Sequence, residues 1–221
     1  MAIVSAGSGP ALAAEEYRFL LARGYPREQS LVMVGNRHDL GKRERELLRR
    51  AVLAPERAEA RRARLSLLKD LRGERVGLDG HNVIITLESA LAGRDLVLGD
   101  DGVVRDIARA GGSYSPGGLT LEALGLILRT LASAKADGAD FYLDSPISRS
   151  GELAATIREE LGRTETGGTA RAVPVPEKEL KAYPGIVASS DGELIEACQK
   201  PLDLAGWIIR ERLEEVPIIG F

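Results

Sequence analysis

The sequence predicts an α/β protein in which a Rossmann-like, mostly parallel sheet flanked by helices follows a small basic helical N-terminal region. From Val76 onward, short apolar runs with strand character alternate with longer segments of helical spacing. This alternation is typical of parallel strands that are joined by helical crossovers. Ahead of Val76 the pattern is helical and rich in arginine. The abrupt change of composition at Gly73 predicts the boundary between the two parts.

The chain is expected to have three parts: residues 1–10 as a flexible leader, 11–73 as a basic helical region and 74–221 as an α/β domain. Between Arg37 and Arg72 there are 12 Lys and Arg against 6 Asp and Glu, out of 30 and 33 in the whole chain. Clustered arginines favour a polyanion-binding surface, because they neutralise phosphates and release counterions. Such helices also arise as solvated faces with Glu–Arg pairs four residues apart, and the sequence leaves both interpretations open.

The basic region is predicted to contain three helices and one short extended segment. The segment AEEYRFLLARGY has helical spacing that ends at Gly24, whereas SLVMVGN is interpreted as an apolar strand or turn. A helix capped near Asp39 follows, and a second, arginine-studded helix is expected from Pro55 to about Leu71.

The predicted strands of the α/β domain are, in chain order, VGLDGHNVII, DLVLGD, DFYLDSP, ARAVPVP and GIVASSD. The predicted helices are TLESALAG, LTLEALGLILRTLASAKA, GELAATIREELG, ELIEACQK and LAGWIIRERLEE. Continuous apolar character in the first, third and last strands indicates burial on both faces of a parallel sheet. The tail VPIIGF is expected to pack either on the protein's own sheet or on a second copy, so a homodimer is one expectation.

Three aspartates directly follow predicted strands: Asp79, Asp144 and Asp191. Because ligands bind outside the carboxyl ends of parallel strands, we expect these carboxylates to converge on one site. Clustered carboxylates repel one another unless a cation neutralises them, and oxygen ligands favour Mg²⁺ or Mn²⁺. Asp101, after the second strand, and Glu193 are further candidate ligands. Taken singly, each of the three aspartates is also a normal cap for the next helix.

A second group of polar residues is predicted to contact substrate phosphates. Hydroxyl groups in DSPISRS precede a predicted helix, whose free amides can also bind anions. Serine capping of the helix explains the same pattern, and a histidine in DGHN is also an ordinary turn residue. The candidate substrate-binding residues are His81, Ser145, Ser148, Arg149, Ser150, Ser190, Arg43, Arg49 and Arg50.

Composition disfavours several classes of protein. No apolar run approaches the ~20 residues that cross a bilayer, and no basic segment precedes the short apolar stretch near the start. Cys198 is the only cysteine, which excludes an intrachain disulfide and a Cys-based zinc site. A cytoplasmic protein without a membrane partner is therefore expected. The GxxxxGK[ST] and GxGxxG patterns of nucleotide-binding loops are missing.

The segments LDGHNVI and ASSDGELI resemble the first-strand and late-strand motifs of the PIN-like nucleases, in particular their NYN branch. The resemblance extends as a pattern from Val76 to about Trp207 and implies a PIN-like domain with a metal-dependent ribonuclease site. In that site Asp79, Asn82 and Asp191 match the family's motif positions, and Asp144 is added from its place after a strand. His81 stands where the family has an aromatic residue, and residues 98–118 do not align with the family. The whole chain also resembles an archaeal family of unknown function.

The leading hypothesis is a metal-dependent ribonuclease of the endoribonuclease class that uses Mg²⁺ or Mn²⁺ and binds RNA through its basic arm. Its catalytic residues would be Asp79, Asn82, Asp144 and Asp191. One alternative is a non-catalytic RNA-binding or RNA-processing accessory protein, since folds persist when functions change. A small-molecule phosphatase or phosphotransferase with Asp79 or Asp144 as nucleophile is the other, although a DxD phosphatase motif is missing.

Overall fold

The computed structural model describes residues 2–107, 115–164 and 166–221, and it has the predicted α/β fold. The described helices are α1 Ser8–Ala22, α2 Arg27–Arg37, α3 Lys42–Ala51, α4 Pro55–Arg64, α5 Gly80–Leu91, α6 Gly118–Ser133, α7 Ser150–Gly162, α8 Pro176–Lys181, α9 Gly192–Ala197 and α10 Leu204–Arg212, with a 3-10 turn at Leu68–Leu71. The described strands are β1 Ala2–Ser5, β2 Arg75–Asp79, β3 Leu96–Leu98, β4 Val104–Asp106, β5 Gly138–Asp144, β6 Gly168–Val173, β7 Ile186–Ala188, β8 Pro201–Leu202 and β9 Pro217–Gly220. None of the helices described is long and apolar enough to cross a membrane.

The larger sheet has five parallel strands in the order β6-β5-β2-β7-β8. Alternate residues of each strand enter different cores, as the two-residue period of a strand requires. Phe141 of β5 joins the large core with helices α5, α6, α7 and α10, whereas its neighbour Tyr142 packs with Leu180 of α8 and Leu194 of α9. Helices therefore cover both faces of the sheet, which explains the continuous apolar character of the central strands.

The strand order reverses at β2. The chain moves outward from β2 to β5 and β6, and then returns to the other side of β2 to form β7 and β8. Open α/β sheets bind ligands outside the carboxyl ends of their strands at such a topological switch point. The edge where β2 and β7 end is therefore the position at which this fold would place a site.

A second, four-stranded sheet has the order β1-β9-β3-β4 and packs against the N-terminal helices. Val97 of β3 and Ile219 of β9 share a core with Tyr17 of α1 and with Leu47 and Leu48 of α3. Strands from the predicted 74–221 domain thus complete the core of the basic helical region. The tail VPIIGF contributes β9, an inner strand of the protein's own sheet, so it gives no support to a homodimer.

The prediction of a flexible leader at residues 1–10 was wrong. Ala2–Ser5 forms β1, which pairs in parallel with β9, and α1 already begins at Ser8. The partner of β1 lies at the other end of the chain. A local pattern of four residues gives no sign of such a distant partner, although Ile3 and Val4 are good strand formers.

Three predicted boundaries also need correction. SLVMVGN lies in α2, where Leu31 and Val34 are buried one turn apart while Val32 and Met33 are exposed. The first α/β strand stops at Asp79, so the following VII segment lies in α5, because a short apolar run fits a buried helix as well as a strand. The arginine-studded helix ends at Arg64, and only a 3-10 turn follows it.

Candidate functional site

The structure brings together the ends of three neighbouring strands, β5, β2 and β7. Asp144 is the last residue of β5 and Asp79 the last of β2, while Ser189–Asp191 follows β7 directly. Gly80 allows this close approach, because a β-carbon there would lie 2.5 Å from Leu143 Cδ2. The predicted carboxylates of the three strands therefore lie at one edge of the sheet.

Asp79 is the innermost carboxylate of this edge, with only 8% of the residue exposed. Burial raises the pKa of Asp79 to about 7, against the opposing effect of Ser189, whose hydroxyl donates to Asp79 Oδ2 at 2.8 Å. The negative charges of Asp144, Asp191 and Glu177 also contribute to the raised pKa. A buried carboxyl that titrates near neutral pH at a strand end has the properties of a functional group.

Asn82 joins α5 to the loop after β7. Its Oδ1 accepts hydrogen bonds from the Ser190 backbone N–H at 2.8 Å and from the Ser190 hydroxyl at 3.0 Å. The Ser189 hydroxyl, which donates to Asp79, also accepts the backbone N–H of Asp191 at 3.0 Å. The DGHN turn and the SSD segment are thus one hydrogen-bonded unit, in which Asn82 and Ser190 hold the loop beside Asp79.

His81, predicted to contact substrate, lies buried against Asp144 in the structure. It is only 2% exposed, and its Nδ1 accepts the backbone N–H of Asp144 at 3.0 Å. The same nitrogen lies 3.1 Å from Asp144 Oδ2. The imidazole therefore holds the backbone at the end of β5, while the carboxylate of Asp144, whose side chain is 31% exposed, remains accessible from solvent.

Asp191 caps the N-terminus of α9, which is the alternative role expected of an aspartate that follows a strand and precedes a helix. Its Oδ1 accepts the backbone N–H groups of Glu193 at 2.8 Å and Leu194 at 3.0 Å at the start of α9. Its charge still acts on Asp79 through space. The predicted ligand Glu193 is 81% exposed and lies 3.7 Å from Lys181, so it belongs to the surface rather than to the acidic edge.

Asp101, predicted as a metal ligand, forms ion pairs with two arginines in the structure. Its fully buried carboxylate accepts two bonds of 2.7 Å from Arg105 and one of 3.2 Å from Arg61. Burial alone would raise the pKa of Asp101, but these two arginines outweigh it and hold the pKa below its usual value. Both oxygens are therefore already occupied by cations.

The predicted substrate contacts after β5 divide into exposed and buried residues. Ser145 and Ser148 are exposed close to Asp144, whereas Ser150 is buried at the start of α7 and its hydroxyl donates to the Ser145 carbonyl at 3.4 Å. Arg149 precedes α7 in a left-handed conformation and binds Glu152. Ser150 is consequently excluded as a direct contact, while Ser145, Ser148 and Arg149 remain accessible.

The basic region meets the acidic edge at a cavity of about 210 Å³. Of the predicted arginines, Arg49 and Arg50 line this cavity together with Ser190 and Asp191, while Arg43 pairs with Asp95 elsewhere on the surface. Four further arginines complete its wall, and sequence reasoning did not select them. They are Arg27, Arg57, Arg61 and Arg105.

The five predicted metal ligands do not form one cluster. In the part of the chain that the structure describes, no three His, Cys, Asp or Glu side chains are grouped so that they could hold a metal ion. Mg²⁺ commonly uses one or two carboxylates and completes its shell with waters and substrate phosphates. Asp79 and Asp144 fit that smaller donor set, because they end neighbouring strands and the charge of Asp144 raises the pKa of Asp79.

The raised pKa of Asp79 predicts a pH-dependent loss of stability. Below about pH 4 the carboxyl is protonated in both the folded and the unfolded chain, and above pH 7 it is ionised in both. Between these values only the folded chain retains the proton, so the stability contributed by Asp79 falls as pH rises, by about 4 kcal/mol in total. Urea unfolding in EDTA at pH 4.5, 6 and 8 measures this as a difference between wild type and Asp79→Asn. A difference that stays constant over this range would contradict the prediction.

Sequence comparisons match two parts of the chain to two families of unknown function. The family described as "Protein of unknown function (DUF434)" matches residues 11–64, and that described as "Domain of unknown function (DUF5616)" matches residues 68–207. An "Uncharacterized protein MJ0935" of Methanocaldococcus jannaschii is 32% identical over 185 residues, which cover 84% of this chain and 88% of the relative. No solved structure matches the chain. Because one match covers more than half of its length, the chain belongs to the family described as "Domain of unknown function (DUF5616)".

Proposed function

We propose that the protein is a metal-dependent ribonuclease that hydrolyses phosphodiester bonds of RNA at the ends of β5, β2 and β7. The observation that carries this proposal is the buried carboxyl of Asp79, whose pKa is raised to about 7 by burial and by the neighbouring charges of Asp144 and Asp191. Carboxylates held together in this way are stabilised by a divalent cation. The likeness of the DGHN and SSDG segments to PIN-like nucleases supports the same reaction.

In this mechanism Asp79 and Asp144 would hold Mg²⁺ or Mn²⁺. The bound ion would supply a water of lowered pKa and would neutralise charge on the phosphate. Ser189 keeps the carboxylate of Asp79 oriented through its 2.8 Å hydrogen bond, and His81 accepts the backbone N–H of Asp144 and so positions that residue at the end of β5. These fixed carboxylates orient the reactants, which is a large part of catalysis in phosphate chemistry.

The position of the arginine-lined cavity supports RNA as the substrate. Ser190 belongs to the acidic edge through Asn82 and also lines the cavity. A nucleic acid bound across this boundary would place phosphates against guanidinium groups while another phosphate lies beside Asp79. Arginine recognises phosphate oxygens through two parallel N–H donors, so the pairing is chemically matched.

Cleavage of RNA by purified protein tests the proposal. Incubation of a mixed-sequence RNA with Mg²⁺ or Mn²⁺ is expected to give shorter products, EDTA is expected to stop the reaction, and excess metal is expected to restore it. RNA binding without cleavage under either metal would favour the accessory-protein alternative. Release of phosphate from mononucleotides with intact RNA would favour the phosphatase alternative, and cleavage that continues in EDTA would contradict metal dependence.

A further inference from the structure

Six arginines converge on the cavity between helices α2, α3 and α4 and the start of α9. They come from four separate elements of the chain, namely α2, α3, α4 and β4, so the folded structure rather than a local run brings them together. Leu53 and Gly192 are also part of the wall. The arginines are Arg27, Arg49, Arg50, Arg57, Arg61 and Arg105.

Most of these arginines share their carboxylate partners. Glu196 accepts hydrogen bonds from both Arg57 and Arg61, at 2.5–2.9 Å. In the same way Glu46 pairs with Arg49 and Arg50, and Asp101 pairs with Arg61 and Arg105, while Arg49 has a second partner in Glu28. Each guanidinium carries five N–H donors, so sharing leaves donors over for another acceptor.

Arg27 is the least compensated member of the group. It donates to the carbonyl oxygen of Arg49, and in the described residues no carboxylate forms an ion pair with it, because its neighbour Glu28 pairs with Arg49. Burial lowers the pKa of Arg27, and so do the positive charges of Arg57 and Arg61, while the charges of Tyr17 and Glu28 act in the opposite direction. An anion in the cavity would relieve this repulsion.

Two carboxylates, those of Asp191 and Glu193, also line the cavity, and neither forms an ion pair with Arg27 in the described residues. The carboxylate of Asp191 accepts two backbone N–H groups of α9, and that of Glu193 is 81% exposed beside Lys181. Six guanidinium groups thus surround one small cavity, and it is their N–H donors, rather than a net charge, that would recognise an anion there. The cavity volume of about 210 Å³ suits one phosphate group and a part of its sugar rather than a whole dinucleotide.

We propose that this cavity binds a terminal phosphate monoester of the RNA that is cleaved at the acidic edge, which rests on the proposed function. A terminal phosphate offers three free oxygens and a charge near −2, whereas an internal diester offers two oxygens and a charge of −1. Convergent arginines in a small cavity recognise the first better than the second. The substrate class is accordingly RNA with a phosphorylated end. The separation between the cavity and the acidic edge would then fix how far from that end the RNA is cleaved.

Binding in EDTA tests this inference without any cleavage. Three oligoribonucleotides of one sequence are compared: one with a 5′-phosphate, one with a 3′-phosphate and one with hydroxyls at both ends. One phosphorylated form is expected to bind about tenfold more tightly than the hydroxyl form, as charge-assisted hydrogen bonds predict. The identity of the tighter form reveals which end the cavity accepts. Equal affinity for all three would overturn the inference.

Arg27→Ala and Arg37→Ala form a matched pair of variants. Both lose one positive charge from α2, but Arg37 lies at the other end of the helix, is 71% exposed and pairs with Glu16. Arg27→Ala is expected to abolish the preference for the phosphorylated end, whereas Arg37→Ala is expected to keep it. An unchanged preference in Arg27→Ala would overturn the assignment to this cavity. A preserved preference in a protein that cuts no RNA would instead contradict only the proposed ribonuclease.

Discussion

Replacement of Asp79 by asparagine is expected to lower the rate of RNA cleavage by about 10³-fold or more. The substitution removes the innermost negative charge of the acidic edge, and with it the main candidate ligand for a metal ion. Asparagine can still accept the hydrogen bond of Ser189, so the loop after β7 should keep its position. Single-turnover cleavage of a labelled RNA in Mn²⁺ measures the effect.

Folding of the Asp79→Asn variant provides the necessary control. Because the substitution removes a buried charge, we expect its free energy of unfolding at pH 8 to equal or exceed that of wild type. Asp137→Asn makes the same chemical change at an exposed residue just before β5, at the opposite edge of the sheet, and should cleave RNA normally. Cleavage by Asp79→Asn at the wild-type rate would reject Asp79 as a catalytic residue.

The position of the acidic edge could be predicted because it depends on local patterns. Apolar runs indicated the strands, and the first polar residue after each run marked its carboxyl end. This reasoning put Asp79 and Asp144 after their strands, and the structure places both at the last positions of neighbouring strands. The parallel pairing that brings them together follows from the alternation of strands and helices.

Contacts between distant parts of the chain could not be predicted in this way. The pairing of β1 with β9 and the ion pairs of Asp101 with Arg61 depend on how separate elements pack. A turn such as LGDDGVV looks the same whether its aspartate faces solvent, a metal ion or two arginines. Only the fold decides among these three environments.

The roles of individual side chains were also beyond the sequence. A histidine in DGHN is compatible with substrate binding, with a turn or with a buried contact, and the structure shows the buried contact between His81 and Asp144. The SSD segment shows that Ser189 lies close to Asp191 in sequence. It does not show that the Ser189 hydroxyl donates to Asp79. Arg27 gave no signal, because it precedes the dense arginine run of the basic region.

Replacement of Asp101 by asparagine is expected to destabilise the protein by about 3–5 kcal/mol. The carboxylate is fully buried and binds the guanidinium groups of Arg61 and Arg105, which are themselves only 6% and 5% exposed. Asparagine has nearly the same volume but no charge, so two buried cations would lose their shared counter-ion. The midpoint of urea unfolding at pH 7 measures the loss, and an unchanged midpoint would contradict the structural role.

Asp95→Asn is the control that separates the destabilisation expected of Asp101→Asn from the effect of losing one negative charge at the surface. Asp95 also pairs with an arginine, Arg43, but both side chains are well exposed, so the pair is screened by solvent and is worth at most about 1 kcal/mol. The contrast between the two variants tests burial as the cause, since each changes one Asp–Arg contact. If Asp101 were a metal ligand, its substitution would raise the metal concentration needed for RNA cleavage. A purely structural Asp101 instead predicts that the folded variant, assayed well below its melting temperature, responds to Mn²⁺ as wild type does.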